Sequence, residues 1–213
     1  MVRFGWRSAA SGGEPNRLRS WAPKGACGFD SRGARHQSSK SPLLDLATPR
    51  LSLTPVRTQD AAELFAVRGD HEVMNYWDWP PDRTPAETEA VIKQFLTETA
   101  AGEAHYWTLR LQSNGSFVGL CDFSEIDPNG SADLGFMLAR RYWGQGLAAE
   151  AVTCLIAHAR AIGLRTVRAR IHAGNERSAR LLIKTGFNEV APLTPYEVRP
   201  GVHRVCRRFE IVL

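Results

Sequence analysis

The stretch Arg141-Tyr-Trp-Gly-Gln-Gly-Leu-Ala-Ala-Glu150 constrains this chain more than any other part of it. Before it, Ala132, Leu134, Phe136 and Leu138 alternate with Asp133, Gly135 and Met137, the period of a strand. After it, Leu147, Ala151, Leu155 and Ala159 recur every four residues, the stripe of a helix over 147–162. Gly144-x-Gly146 therefore sits at a strand-to-helix junction. Backbone amides there lack an intrahelical partner and point, with the helix dipole, toward an anion. Glycines remove the Cβ atoms that would hold a pyrophosphate at a distance. Arg141 adds a cation at the rim.

The same letters, Gly144-Gln-Gly-Leu-Ala-Ala149, also fit a dinucleotide fingerprint. That reading expects an acidic residue about 20 positions on, at the end of the next strand. Residues 165–171 are Arg-Thr-Val-Arg-Ala-Arg-Ile and contain none. Arg168 or Arg170 would serve a phosphorylated dinucleotide, but too few β-α units surround the loop for a doubly wound sheet. A P-loop is excluded because no Gly-Lys-Ser/Thr follows.

The remaining patterns place this junction in a mixed fold. Arg50-Leu-Ser-Leu-Thr-Pro-Val alternates like a first strand. Asp60-Ala-Ala-Glu63 has capping-box spacing before a short helix. Thr84-Pro-Ala-Glu87 opens a second helix, with Val91, Ile92, Phe95 and Leu96 as its buried stripe and Gly102 as its stop. Two strands, Tyr106–Leu111 and Phe117–Phe123, flank a turn at Asn114-Gly115. Val167, Ala169 and Ile171 alternate as a further strand, a helix runs from about Glu176 to Lys184, and Phe187 to Leu213 closes as two strands. The order β-α-α-β-β-β-α-β-α-β-β predicts an α/β (α+β) domain over 42–213. It is a partly antiparallel sheet flanked by about four helices.

Composition bounds the function. Residues 1–41 hold eight Arg/Lys against Glu14 and Asp30, which leaves the rest of the chain at about −1 of the net +5. The domain is therefore not a basic nucleic-acid binder. The first 41 residues, rich in Gly, Ser and Arg, read as a disordered tail. They resemble a transit peptide in composition yet lack an amphipathic helix, so an over-called start or basic tail stands as the other reading. No stretch approaches the ~18 apolar residues of a membrane span. Cys27, Cys121, Cys154 and Cys206 lie far apart with no His at ligand spacing, which predicts neither a metal site nor a disulfide framework. A cytoplasmic protein, monomer or homodimer, is expected.

Arg141-x-x-Gly144-x-Gly146 followed by a helix resembles the acetyl-CoA signature of the GNAT superfamily of N-acetyltransferases. The strand Ala132-Asp-Leu-Gly-Phe-Met-Leu138 is similar to the one preceding that loop. Asn175-Glu-Arg-Ser178 with Lys184-Thr-Gly186-Phe187 resembles the block of the Rim-type branch, which acetylates ribosomal-protein N-termini. The resemblance spans about 46–213. It implies acetyl-CoA as co-substrate, contacted by Met137, Leu138, Arg141, Gly144, Gln145, Gly146, Leu147, Ala148, Asn175 and Ser178. Two departures matter: residues 179–185 contain no Tyr to protonate the leaving thiolate, and Asp133 stands where Glu is usual. Ser178 becomes the candidate donor.

The implied reaction is attack by a neutral amine on a thioester, which needs a proton acceptor near the strand edge. Asp133 is the first candidate and Glu125 the second, while His172 and His105 are possible relays. Trp77 and Trp79, with Tyr76, are candidates for an acceptor wall. The expected acceptor is a protein or peptide N-terminal amine. Two alternatives stay open: a small amine drawn by Asp78, Asp82 and Asp133, and a non-catalytic acyl-CoA-binding module.

Overall fold

The computed structural model describes residues 43–199 and 201–213. The tail assigned to residues 1–41 lies outside the described residues. From Leu46 the elements are β1 (Leu46–Ala47), β2 (Leu51–Pro55), α1 (Ala61–Arg68), α2 (His71–Met74), α3 (Pro85–Ala101), β3 (His105–Leu111), β4 (Phe117–Ser124) and β5 (Ser131–Leu138). They continue as α4 (Leu147–Ala161), β6 (Thr166–His172), α5 (Glu176–Lys184), β7 (Asn188–Arg199) and β8 (Val202–Val212). Eight strands form one sheet in the order β1-β2-β3-β4-β5-β6-β8-β7. Neighbours run antiparallel except β5 and β6, which are parallel. The mixed, partly antiparallel sheet is as expected, and β1 and the one-turn α2 are additions to the expected order.

Local chemistry accounts for most boundaries. Thr84 caps α3, its hydroxyl accepting from the Glu87 amide at 3.4 Å, and Pro85 takes the first helical position. Gly102 ends that helix in the left-handed region at φ 80°. The expected capping box at Asp60 does not form. The Asp60 carboxylate instead accepts from the Arg57 amide at 2.8 Å and pairs with Arg110 of β3 at 2.9 Å, so a long-range ion pair displaces the local cap. Asp70 begins α2 by accepting from the Glu72 and Val73 amides.

The two sheet faces differ in chemistry. One carries Trp107, Leu109, Cys121, Phe123, Leu134, Val167 and Phe209, and joins Leu147, Ala151, Leu155 and Ala159 of α4 in the main core. The other holds a row of registered neighbours, Tyr106 on β3, Asp122 on β4 and Gly135 on β5. Phe95 of α3 stacks on Tyr106 with ring centroids 3.8 Å apart. Asp122 is fully buried, and its carboxyl occupies the space a side chain at residue 135 would need: a Cβ there would lie 2.1 Å from its Oδ1. Burial, with the nearby Glu98 and Asp133 carboxylates, pushes Asp122 well above the usual carboxylate range despite a lowering contribution from Ser124.

A folded-state pKa above the unfolded one gives stability that is full below the unfolded value and is lost as pH rises toward the folded one. Wild type should therefore lose stability relative to Asp122→Asn as pH rises from about 4. Denaturant melts of the two proteins across that range test this, and parallel pH profiles would contradict it.

Candidate active site

The site begins where β5 and β6 separate. They pair only at Ser131–Thr166, Ala132–Val167 and Asp133–Arg168. Beyond Asp133, β5 stays hydrogen-bonded to β4 as far as Leu138, while its other edge has no partner strand among the described residues. Gly119 of β4 lets the strands come close here, since a Cβ on it would lie 2.0 Å from the Met137 carbonyl oxygen. The gap opens into a cleft of about 1260 Å³.

One wall of this cleft is β5 and the loop after it. Met137, Leu138, Gly144, Gly146, Leu147 and Ala148 all line it. Gly144 and Gly146 have φ of 73° and 78°, the left-handed region where a side chain is strained. Gly146 is the N-cap of α4 and supplies no capping side chain, so the first amides of that helix are left for a ligand. Trp143 fixes the loop by donating from Nε1 to the Leu138 carbonyl at 2.8 Å.

The opposite wall is the start of α5. Asn175 and Ser178 line it. Asn175 Oδ1 accepts from the Ser178 amide at 3.2 Å, so Asn175 caps the helix while facing the cleft. Arg177, Arg180 and Lys184 bring three cations to the same wall. A third side comes from α2 and the loop after it, through His71, Val73, Asn75 and Tyr76.

Other residues singled out in the sequence lie elsewhere. Arg141 turns to β4, donating to the Phe117 carbonyl at 3.2 Å and covering the Tyr142 ring. Gln145 Nε2 donates back to the Arg141 carbonyl at 2.7 Å. Neither lines the cleft. Trp77 is buried and Trp79 half-buried, and of that loop's aromatics it is Tyr76 that reaches the cleft. Asp133 and Glu125 line a separate pocket of about 110 Å³ with Arg168, Arg170, Arg208 and Glu210. There Asp133 accepts from Arg168 Nε at 2.8 Å, with Arg170 at 3.6 Å. Burial raises its pKa, with Glu125 adding to the rise and the two arginines opposing it.

His172, at the end of β6, lies at a different level from Asp133. Its Nε2 is 3.1 Å from Asp78 Oδ1, and both side chains are buried. Its Nδ1 has no hydrogen-bond partner. The Tyr76 ring packs edge-on against it at 6.4 Å. His105 instead packs edge-on against Trp107 and lines neither pocket. The contributions of α2, Arg177 and Arg180 were not singled out from sequence, and Lys184 was read only as part of the Asn175–Phe187 block. The capping pattern at Asp70 and the cationic side of α5 were the available signals.

The cavity fits a long, phosphate-bearing acyl carrier: an uncapped helix start, glycines without Cβ obstruction, three cations and an apolar strand edge. Comparison with known proteins agrees. The family described as the acetyltransferase (GNAT) domain matches residues 50–188. The chain belongs to the GNAT acetyltransferase family. An uncharacterized N-acetyltransferase, p20, from Bacillus licheniformis is 30% identical over 158 residues, covering 73% of this chain and 89% of that one. Among solved structures, the GNAT fold is shared with RimL, a ribosomal L7/L12 α-N-protein acetyltransferase in complex with coenzyme A. That match has a TM-score of 0.72 at 18% identity, covering 80% of this chain and 98% of that one. A spermidine N-acetyltransferase from Vibrio cholerae, in complex with CoA and spermine, matches with a TM-score of 0.68 at 17% identity over 78% of this chain and 96% of that one. As a GNAT N-acetyltransferase, the protein is an acetyl-CoA-dependent enzyme.

Gly144→Glu places a charge in the cleft where a Cβ meets nothing within 4 Å, and Gly144→Ala, which carries the same strain at φ 73° without the charge, is its control. Gly144→Glu should weaken acetyl-CoA binding by at least about tenfold, the effect of 1.4 kcal/mol, with the circular dichroism spectrum retained. Calorimetric titration giving wild-type affinity would remove the loop from the site.

Proposed function

We propose that the protein transfers the acetyl group of acetyl-CoA to a primary α-amine, with the N-terminus of a peptide or protein as favoured acceptor, in the cytoplasm. The observation that carries the acceptor class is the state of the carboxylates. Asp82 is bound by Arg68 through a buried pair at 2.7 Å, Asp133 by Arg168 and Asp78 by His172, while Glu72 and Glu176, which line the cleft, pair with Arg140 and Arg207. A polyamine needs free carboxylates along its length to replace lost hydration. A single α-amine does not. The resemblance of Asn175–Phe187 to the Rim-type block supports the same choice.

Acetyl-CoA supplies an activated thioester when bound. The amine nitrogen forms the new C–N bond, the C–S bond breaks, the amine loses a proton and the thiolate gains one. Backbone amides on the free edge of β5 near Met137 and Leu138 are proposed to polarise the carbonyl. Ser178, on the α5 wall, is proposed to donate to the thiolate.

Two groups compete as proton acceptor. Asp133 is four residues from Met137, about 13 Å along an extended strand, so it would act through water. His172 lines neither pocket itself but packs edge-on against Tyr76, a cleft residue. With Nε2–H donating to Asp78, the unpartnered Nδ1 is the basic nitrogen. We assign proton removal to His172 on this ground.

The test is thiol release from acetyl-CoA against peptides with varied N-termini and against small amines. Peptides should exceed spermidine in kcat/KM by at least about tenfold. The reverse order would assign a small-amine acceptor, and tight binding without turnover on any amine would assign a binding module. For the proton route, His172→Gln should lower kcat by at least about tenfold while Asp133→Asn stays within about twofold of wild type. Loss in Asp133→Asn alone would return the role to Asp133.

A further inference from the structure

The cofactor loop is held from behind by a residue nearly a hundred positions earlier. Arg50, just before β2, donates from Nη1 to the Gln145 carbonyl at 2.9 Å. Its Nε donates to Glu150 Oε2 at 2.7 Å, and its own backbone N–H to Glu150 Oε1 at 2.9 Å. Thr48 completes the arrangement, its hydroxyl donating to Glu150 Oε1 at 2.5 Å and accepting from the Leu51 amide at 2.9 Å. Glu150 is in the first turn of α4, and its backbone N–H closes that turn on the Gly146 carbonyl at 3.1 Å.

The peptide between Gln145 and Gly146 is planar and trans, so its carbonyl and its N–H point in opposite directions. With the Gln145 carbonyl drawn to Arg50, the Gly146 N–H is turned to the other side of the loop. Gly146 itself lines the cleft, at the uncapped end of α4. Its φ of 78° leaves it free to take other conformations, so the glycine alone does not hold this peptide orientation. Arg50 Nη2 stands 3.5 Å from where a Gly146 Cβ would be.

Charge gives Arg50 a second task. An uncompensated carboxylate in the first turn of α4 would repel an anion bound at the same helix end. Burial pushes the Glu150 carboxyl up, but the hydrogen bonds from Thr48 and Arg50 and the guanidinium charge outweigh it and hold the group below its usual range. Glu150 therefore stays ionised, and Arg50 both satisfies and neutralises it.

We propose that Arg50 and Glu150 form a positioning pair that sets the Gly146 peptide for the pyrophosphate of acetyl-CoA. The pair touches the loop and not the reacting atoms. The inference rests on the acetyl-CoA reading of the cleft, and its test separates the two. Arg50→Met keeps most of the side-chain length and removes its donors. It should raise the KM for acetyl-CoA by about tenfold or more with kcat within about twofold of wild type. S-acetylpantetheine, which carries the thioester without the pyrophosphate, should show the same KM in both proteins. Arg50→Lys should recover only part of the loss, because one ammonium cannot serve both Gln145 and Glu150. Glu150→Gln should add little to Arg50→Met in the double variant.

Equal acetyl-CoA KM in wild type and Arg50→Met would overturn the proposal. So would a parallel loss with S-acetylpantetheine, which would mean general damage to the site. Absence of acetyl-CoA binding in wild type would instead refute the underlying reading.

Discussion

The parting of β5 from β6 after three residue pairs is the constraint on which the rest of the site depends. A sheet interior rarely leaves backbone donors and acceptors unpaired, because each unpaired buried group costs about 1–3 kcal/mol. Here β5 leaves an edge open from Leu134 to Leu138 while β4 holds its other edge in register. That arrangement makes sense if a ligand with its own amides completes the sheet. The loop at 144–146, the uncapped start of α4 and the capped start of α5 all converge on this opening.

The surrounding packing keeps the opening in shape. Gly119 allows the β5 backbone to press onto β4 beside Met137 and Leu138, and Gly135 gives its side-chain space to the Asp122 carboxyl. Trp143, hydrogen-bonded to Leu138 and covered by the Arg177 guanidinium at 5.1 Å, ties the loop to both walls. Asp82 and Asp133 are matched to arginines and Asp78 to His172. The apolar face is closed by α4 and α5 packing on the core cluster.

The parts of this fold that depend on short-range pattern were legible in the sequence. The strand at 131–138, the helix after Gly146 and the Thr84-Pro85 start each follow from neighbours within a few residues. What the sequence could not express was long-range pairing. The Arg50 side chain reads as an exposed residue of a first strand, and only the packing of β2 against α4 brings it to Gln145 and Glu150. Asp60 reads as a cap until Arg110 claims it from β3. Asp133 shares a strand with Met137, yet the point at which the two strands part separates it from the cleft, and no local pattern marks that point. Among the described residues, no helix is long and apolar enough to cross a membrane.

Acetyl-CoA is proposed to occupy the gap between β5 and β6 and to take the place of the missing strand pairing. Amide hydrogen exchange with and without acetyl-CoA measures this directly. Slowed exchange is expected in two segments, residues 136–138 and 144–149, with residues 117–124 of the already paired β4 unchanged. Binding that leaves both segments unprotected, or protects only the pocket around Asp133 and Arg168, would contradict it.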